Sequence, residues 1–262
     1  MTTEMYLNIK NLTKSHTAQN NSLETVFDNF SLSFEVGKIT ALVGKVGCGK
    51  TTLLKMMAGL YRPEKGSIEF KNSAQDVFHC SAIGQSMTEI ATLVFQEYKE
   101  SLLEWQRVRT AINWGFSGNE TKRVAVVEQI DRVLEISKLL DRFPGELSGG
   151  QQQKVAVARA LARQPKLLLM DEPFGSLDAI SRYELEALIL KEWLNEQSRT
   201  IVIATHDTEE AVFLAHRVIV LGEKPCKMKG VIPVTRPIEQ RAEDFKETPE
   251  FGITRRSVRM LL

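Results

Sequence analysis

Residues 44–51, GKVGCGKT, fit the spacing G-x-x-x-x-G-K-[ST] and constrain this chain more than any other stretch. Each residue type there has a physical job. Gly44, Gly47 and Gly49 let the backbone turn tightly, so that successive N–H groups aim at one anion. Lys50 brings a cation to the β- and γ-phosphates of a nucleotide, and Thr51 offers a hydroxyl to Mg²⁺. Lys45, Val46, Cys48 and Thr52 complete the expected phosphate cradle. Cys48 lies inside it, so a thiol-alkylating reagent is expected to inhibit and bound nucleotide to protect. The apolar run from Ile39 to Val43 reads as a strand, and 52–59 as a helix whose positive end faces the phosphates.

A second signal is LLLMDE at 167–172, where an apolar run ends in two adjacent carboxylates. The run reads as a strand buried on both faces. At its end the chain turns, so both acids can reach one site. Asp171 would hold Mg²⁺ and Glu172 would polarise an attacking water. A third signal is LSGGQ at 147–151, followed by the helical run 152–162. Ser148, Gly149, Gly150 and Gln151 stand at a helix start, which makes a second anion-facing N-terminus. One nucleotide does not need two such sites from one chain. Two chains arranged head to tail would use both, each sharing its pockets with the other.

Composition narrows the class further. The 262 residues suit one large α/β domain, with or without a subdomain. Charges nearly cancel, at 34 Lys+Arg against 33 Asp+Glu, so no basic stripe marks a nucleic-acid surface. Three unpatterned cysteines form neither a disulfide framework nor a zinc set, which fits a reducing compartment. No apolar stretch is long enough to cross a bilayer, and the N-terminus lacks a signal peptide's basic start and apolar core. Any membrane link is expected to run through another protein.

Organisation follows from periodicity. Residues 6–12 and 26–36 alternate as strands, the latter around Phe27, Phe30, Leu32 and Phe34, with 18–22 as the hairpin loop. Residues 66–70 and 91–95 are further strands. Val124, Val127, Ile130, Val133, Leu134 and Ile136 recur at helical spacing, which marks about 97–150 as a helical insert. Beyond Leu167–Asp171, strands are expected at 200–205 and 217–221, and helices at 180–197 and 208–215. The tail is charged and mixed. A helix from Pro249 would place Ile253, Val258, Leu261 and Leu262 on its apolar side, either packed on its own domain or open to a partner.

The motif run GKVGCGKTT, VFQ, LSGGQQQKVAVARAL, LLLMDEPFGSLD and ATHD resembles the ATP-binding cassette (ABC) ATPases over about residues 5–222. The resemblance implies a P-loop NTPase fold with a parallel core sheet, an antiparallel β subdomain and a helical subdomain. It implies one ABC ATPase domain over 1–262: a core at about 1–96 and 151–222, the helical part at about 97–150, and a tail from 223. It makes Gln96 the glutamine that touches Mg²⁺ or its water and senses a membrane partner. Ser176, Leu177 and Asp178 become the loop that crosses the dimer interface, and His206 the histidine that contacts the γ-phosphate and orients Glu172. The family's adenine-stacking aromatic aligns with His16, while the alternation around Phe27 assigns that ring to the core.

The stretch FQEYKESLLEWQRVRTAINWG and the short basic–hydrophobic ending are similar to the nitrate/sulfonate/taurine importer group, with Glu104 where that group has proline. This implies ATP and Mg²⁺ as cofactors, a second copy or homologous ATPase, and transmembrane permease subunits. A solute-binding protein would act indirectly, and the chain would sit on the cytoplasmic face of the inner membrane. Leu102, Leu103 and Trp105 would border the permease groove or pack in the helical core. An exporter subunit and a non-transport cassette acting on nucleic acid or ribosomes are the alternatives.

Overall fold

The computed structural model describes residues 6–17, 22–71, 77–80, 87, 90–96, 101–114, 116, 120–175, 177–195 and 198–262. Ser176 and most of the 18–22 loop fall outside them.

Two sheets organise the chain. Strands β1 (Tyr6–Thr17), β2 (Leu23–Phe34), β4 (Lys65–Lys71) and β5 (Val77–Cys80) form an antiparallel sheet in the order β2-β1-β4-β5. Along β1 and β2 the register sets Leu7 opposite Phe34, Ile9 opposite Leu32 and Leu12 opposite Phe30, all six buried. Strict alternation over 26–36 does not hold. Val26 and Phe27 are both buried, because the ladder slips where β1 passes Leu12 and Lys14. Strand β1 also runs past the expected end at 12, which carries His16 into the ladder opposite Glu24.

The second sheet orders β10-β9-β3-β8-β7-β6, where β3 is Ile39–Val43, β6 Ala91–Val94, β7 Leu167–Asp171, β8 Thr200–Thr205, β9 Arg217–Leu221 and β10 Met228–Pro233. The pairs β3–β8, β3–β9, β7–β8 and β6–β7 are parallel, and β10 adds an antiparallel edge. Every residue of β3, β7 and β8 is buried. Successive side chains of a strand face opposite ways. Accordingly Ala41 and Val43 join one core, while Leu42 joins the other with Leu53, Leu54, Met56 and Met57.

The helices are α1 (Lys50–Met57), α2 (Val108–Asn113), α3 (Glu120–Leu134), α4 (Gly149–Ala162), α5 (Ala179–Asn195), α6 (Thr208–Leu214) and α7 (Pro249–Leu261). Within the stretch 97–150, Leu102, Val108, Ile112, Ile130 and Leu134 pack in the core shared with α4. Val124 is exposed, and Ile136 is buried beyond the end of α3, so the apolar stripe is shorter than its sequence spacing implied. Leu102 is a core residue, Leu103 is half-buried and Trp105 stands 74% exposed.

Two features of the tail differ from expectation. Strand β10 went unforeseen because an edge strand with only Gly230 and Ile232 half-buried shows little apolar alternation. Helix α7 forms with Val258 buried and Leu261 and Leu262 partly buried against the core, as expected, but Phe251 and not Ile253 completes the inward side; Ile253 is 67% exposed. The helix packs on α6, β9 and β10 of its own chain.

Candidate active site

Parallel strands all end on the same edge of a sheet, and ligands bind beyond their carboxyl ends. The register places Val43 beside Thr205, Ala204 beside Asp171, and Met170 beside Val94. Gly44, His206 and Glu172 directly follow three of these ends, and Gln96 lies two residues past the fourth, Val94. A single sheet edge therefore gathers four motifs scattered along the chain.

The loop after β3 turns through left-handed backbone at Gly47 and Gly49, with φ of 82° and 113°. A Cβ on Gly49 would also approach Val26 Cγ1 to 2.7 Å, so glycine is required there twice over. Lys50 is buried, and its Nζ donates to the carbonyl of Gly44 at 2.7 Å and of Lys45 at 3.3 Å. The loop's own carbonyls thus hold the ammonium over the cradle. Lys45 points outward to Glu223 at 2.6 Å, and Val46 is exposed. The Cys48 side chain is turned into the core against Gly44, where a Cβ would meet Sγ at 2.7 Å. Contrary to the sequence expectation, only its backbone belongs to the cradle.

Glu172 adopts φ of 48°, left-handed for a residue with a side chain. Such a conformation is costly and persists where surroundings enforce it. Here the Glu172 N–H donates to Ala204 O at 2.8 Å, tying the turn to β8. The carboxylate then lies 2.5 Å from His206 Nδ1 through Oε2 and 3.9 Å from Lys50 Nζ through Oε1. Asp171 is buried beside it. Burial raises the Asp171 carboxyl above its ordinary value, and a hydrogen bond with the Thr51 side chain works against that rise. Asp171 Oδ1 is buried with no partner. Thr51, Asp171 and Gln96 line one cleft of about 940 Å³, which continues to Leu60, Leu103 and Trp114.

His16 sits near α1. Its Nε2 is 3.2 Å from Thr52 Oγ1, and its ring meets Tyr61 edge-on at 5.9 Å. Burial, then Lys14 and Lys224, lowers its pKa, so the ring is neutral at pH 7. Phe27 is fully buried.

Ser148 caps α4: its Oγ accepts from the Gln151 N–H at 3.3 Å, and Gln151 Oε1 accepts from the Ser148 N–H at 3.1 Å. Gly150 lies against α5, where a Cβ would meet Ser181 Oγ at 2.9 Å. None of 148–151 lines the cleft that holds Thr51 and Asp171. Asp178 caps the first turn of α5, accepting from the Ile180 and Ser181 N–H groups at 3.0 and 2.9 Å. Those bonds lower its pKa. Sequence reasoning missed Tyr61, Glu223, Arg182 and Glu210. Glu210 belongs to an acidic pair at the start of α6 that reads equally well as solvated charge.

The comparisons with known proteins identify the family. A family model described as ABC transporter matches residues 27–175. The aliphatic sulfonates import ATP-binding protein SsuB of Bacillus subtilis is 35% identical over 240 residues, 89% of this chain and 86% of that one. The taurine import ATP-binding protein TauB of Roseobacter denitrificans is 33% identical over 258 residues, 96% and 92% of the two chains. The nitrate import ATP-binding protein NrtC of Synechococcus elongatus is 36% identical over 230 residues, which cover 84% of this chain and 33% of that longer protein. Among solved structures, a dimeric ATP-binding cassette in a post-hydrolysis state with ADP and phosphate superposes with a TM-score of 0.70. It is 25% identical, and the match covers 85% of this chain and 98% of that one. The chain belongs to the ABC transporter family as an ATP-hydrolysing cassette.

Proposed function

We propose that this chain is the ATPase subunit of a membrane importer for a small anion, working as two cassettes that close on ATP. The observation that carries the reading is the continuous cleft from Thr51, Asp171 and Gln96 to the half-buried Leu103 and the exposed Trp114. It joins the nucleotide end of the sheet to an apolar groove suited to a permease segment. No described helix is long and apolar enough to cross a membrane, so attachment would run through that permease. The names of SsuB, TauB and NrtC, which import sulfonates, taurine and nitrate, support a small oxyanion as cargo.

The buried, unpartnered Asp171 Oδ1 beside Thr51 fits a divalent cation. Thr51, Asp171 and Gln96 would hold Mg²⁺, which when bound offsets phosphate charge. The glycine turn and α1 receive the phosphates through backbone N–H groups, and Lys50 exchanges its carbonyl partners for phosphate oxygens. Glu172 takes the proton of a water that attacks the γ-phosphorus, while the bond from that phosphorus to the β–γ bridging oxygen breaks. His206 fixes the Glu172 carboxylate for that transfer. A neutral His16, backed by Tyr61, would stack on adenine. Ser148, Gly149, Gly150 and Gln151 would serve the nucleotide of the opposing cassette, with Leu177 and Asp178 at the seam. ATP bridging both chains binds only the closed state, and that difference in affinity drives closure.

The test is co-purification and reconstitution with a candidate permease in vesicles. ATP turnover stimulated by a solute-binding protein loaded with nitrate, sulfonate or taurine supports the reading. Stimulation by DNA or RNA instead, with no permease association, would overturn it.

A further inference from the structure

Behind His206 lies a partly buried charged cluster, with Glu210 at its buried end, that the hydrolytic chemistry does not itself require. Thr205, the last residue of β8, accepts a hydrogen bond from the Asp207 N–H at 3.0 Å. The Thr205 hydroxyl donates to Glu210 Oε2 at 2.6 Å. The turn that presents His206 is therefore clasped on its inner side by one hydroxyl and one carboxylate. Glu210 is 6% exposed, and its second oxygen, Oε1, stands 3.8 Å from Arg182 Nε on α5. Arg182 also reaches Asp207 Oδ2 at 3.9 Å, and Asp207 caps α6 through the Glu209 N–H at 2.7 Å.

A buried carboxylate is expensive unless it is paired. An exposed cap at this turn would serve α6 equally well, and Asp207 already provides one. Glu210 instead joins three elements: the end of β8, the first turn of α6, and α5, whose own first turn is capped by Asp178. The geometry points to Glu210 as a positioning residue for ATP hydrolysis: held between Thr205 and Arg182, it fixes the turn that sets His206 against Glu172. The inference rests on the hydrolytic roles given to Glu172 and His206.

Other charges face the same pocket. Glu186, fully buried one turn along α5, is paired with Lys246 at 2.6 Å. Glu209 pairs outward with Arg255 of α7. Burial is the main influence on Glu210 and pushes its pKa up to about 7; Asp207 and Glu186 add to the rise, while Thr205 and Arg182 oppose it. The ionised form is the one that accepts from Thr205 and attracts Arg182. Positioning by Glu210 therefore strengthens as pH rises through about 7.

The experiment is steady-state ATPase of the full chain for Glu210→Gln and Arg182→Gln, each alone and combined with His206→Ala, over pH 6–9. Glu210→Gln is expected to lower kcat about tenfold with KM for ATP nearly unchanged, the signature of lost alignment and not of lost binding. The rise in kcat through pH 7 should flatten. In the His206→Ala background the same substitution should cost nothing further, since there is no imidazole left to position. Arg182→Gln, on a partly exposed side chain, provides the same readout if Glu210→Gln folds poorly, and Arg182→Lys should recover part of the rate. An unchanged kcat, or a loss that is fully additive with His206→Ala, would overturn the inference alone. Full turnover by Glu172→Gln would instead remove the hydrolytic assignment on which it rests.

Discussion

His206 Nδ1 and Glu172 Oε2 are 2.5 Å apart, across the ends of adjacent strands β8 and β7. The contact spans residues far apart in sequence, and both backbones are fixed: Glu172 by its bond to Ala204, His206 by the turn after β8. Glu172→Gln removes the proposed base and leaves the shape. ATPase activity is expected to fall about 10²–10⁴-fold while ATP still binds. With turnover stopped, ATP should drive the chain to a dimer in size-exclusion chromatography. Hydrolysis near the wild-type rate would reject Glu172 as the base.

Lys50 offers a different signature. Its ammonium is buried and held by two loop carbonyls, so Lys50→Ala removes the cation that phosphates would meet. Binding itself is expected to weaken, seen as a higher Kd for a fluorescent ATP analogue with both Mg²⁺ and chelator. A variant that binds normally but does not turn over would shift the role of Lys50 from binding to chemistry alone.

The thiol of Cys48 is expected to react slowly. It is 3% exposed and packed against Gly44 and the core. A maleimide should label native Cys48 far more slowly than the same residue in denaturant, and Cys48→Ser should retain ATPase activity. Gly44→Ala, by contrast, drives a methyl to 2.9 Å from Leu221 O and 2.7 Å from the sulfur. It should destabilise the loop and lower nucleotide affinity. Fast native labelling of Cys48 would contradict the buried placement.

Much of this architecture was readable in advance, for physical reasons. A strand buried on both faces must be apolar throughout, which made Leu167–Asp171 visible, and phosphate cradles demand glycine at fixed spacing. The remaining features left no local trace. The slip that buries both Val26 and Phe27 depends on pairing with β1. The phase of α7 depends on which residues α6 and β10 leave room for, so Phe251 and not Ile253 turns inward. The ion pair of Arg182 with Glu210 joins α5 and α6 through tertiary packing, and neither residue announces it. The cap made by Ser148 is local, its partner Gln151 lying within one turn, yet the sequence reading assigned Ser148 only an anion-facing helix start.

That tail packing can be measured directly. Phe251 is fully buried and meets Phe245 edge-on at 5.2 Å, while Ile253 on the same helix faces solvent. Phe251→Ala is expected to cost about 3–5 kcal/mol of stability and Ile253→Ala less than about 0.5 kcal/mol. Denaturant melts of the two variants check the helix phase, and equal losses would mean that α7 is rotated or undocked in solution.

His216 links stability to pH. Its Nδ1 accepts the Ile39 N–H at 3.0 Å, and its ring stacks edge-on against Trp193 at 4.6 Å. Burial, with Lys38 and Arg241 nearby, holds the imidazole down to about 4, below its ordinary value of about 6.5. The folded state thus binds this proton less readily than the unfolded chain. Stability from His216 is fully present above about pH 6.5 and is lost progressively as pH falls from there through about 4. His216→Asn keeps an acceptor for Ile39 but cannot take up a proton in this range. Its melting temperature should start lower at pH 7.5 because ring packing is lost, and should fall less steeply than the wild type's between pH 6.5 and 4. Parallel slopes for the two proteins would show that His216 does not control this part of the acid transition.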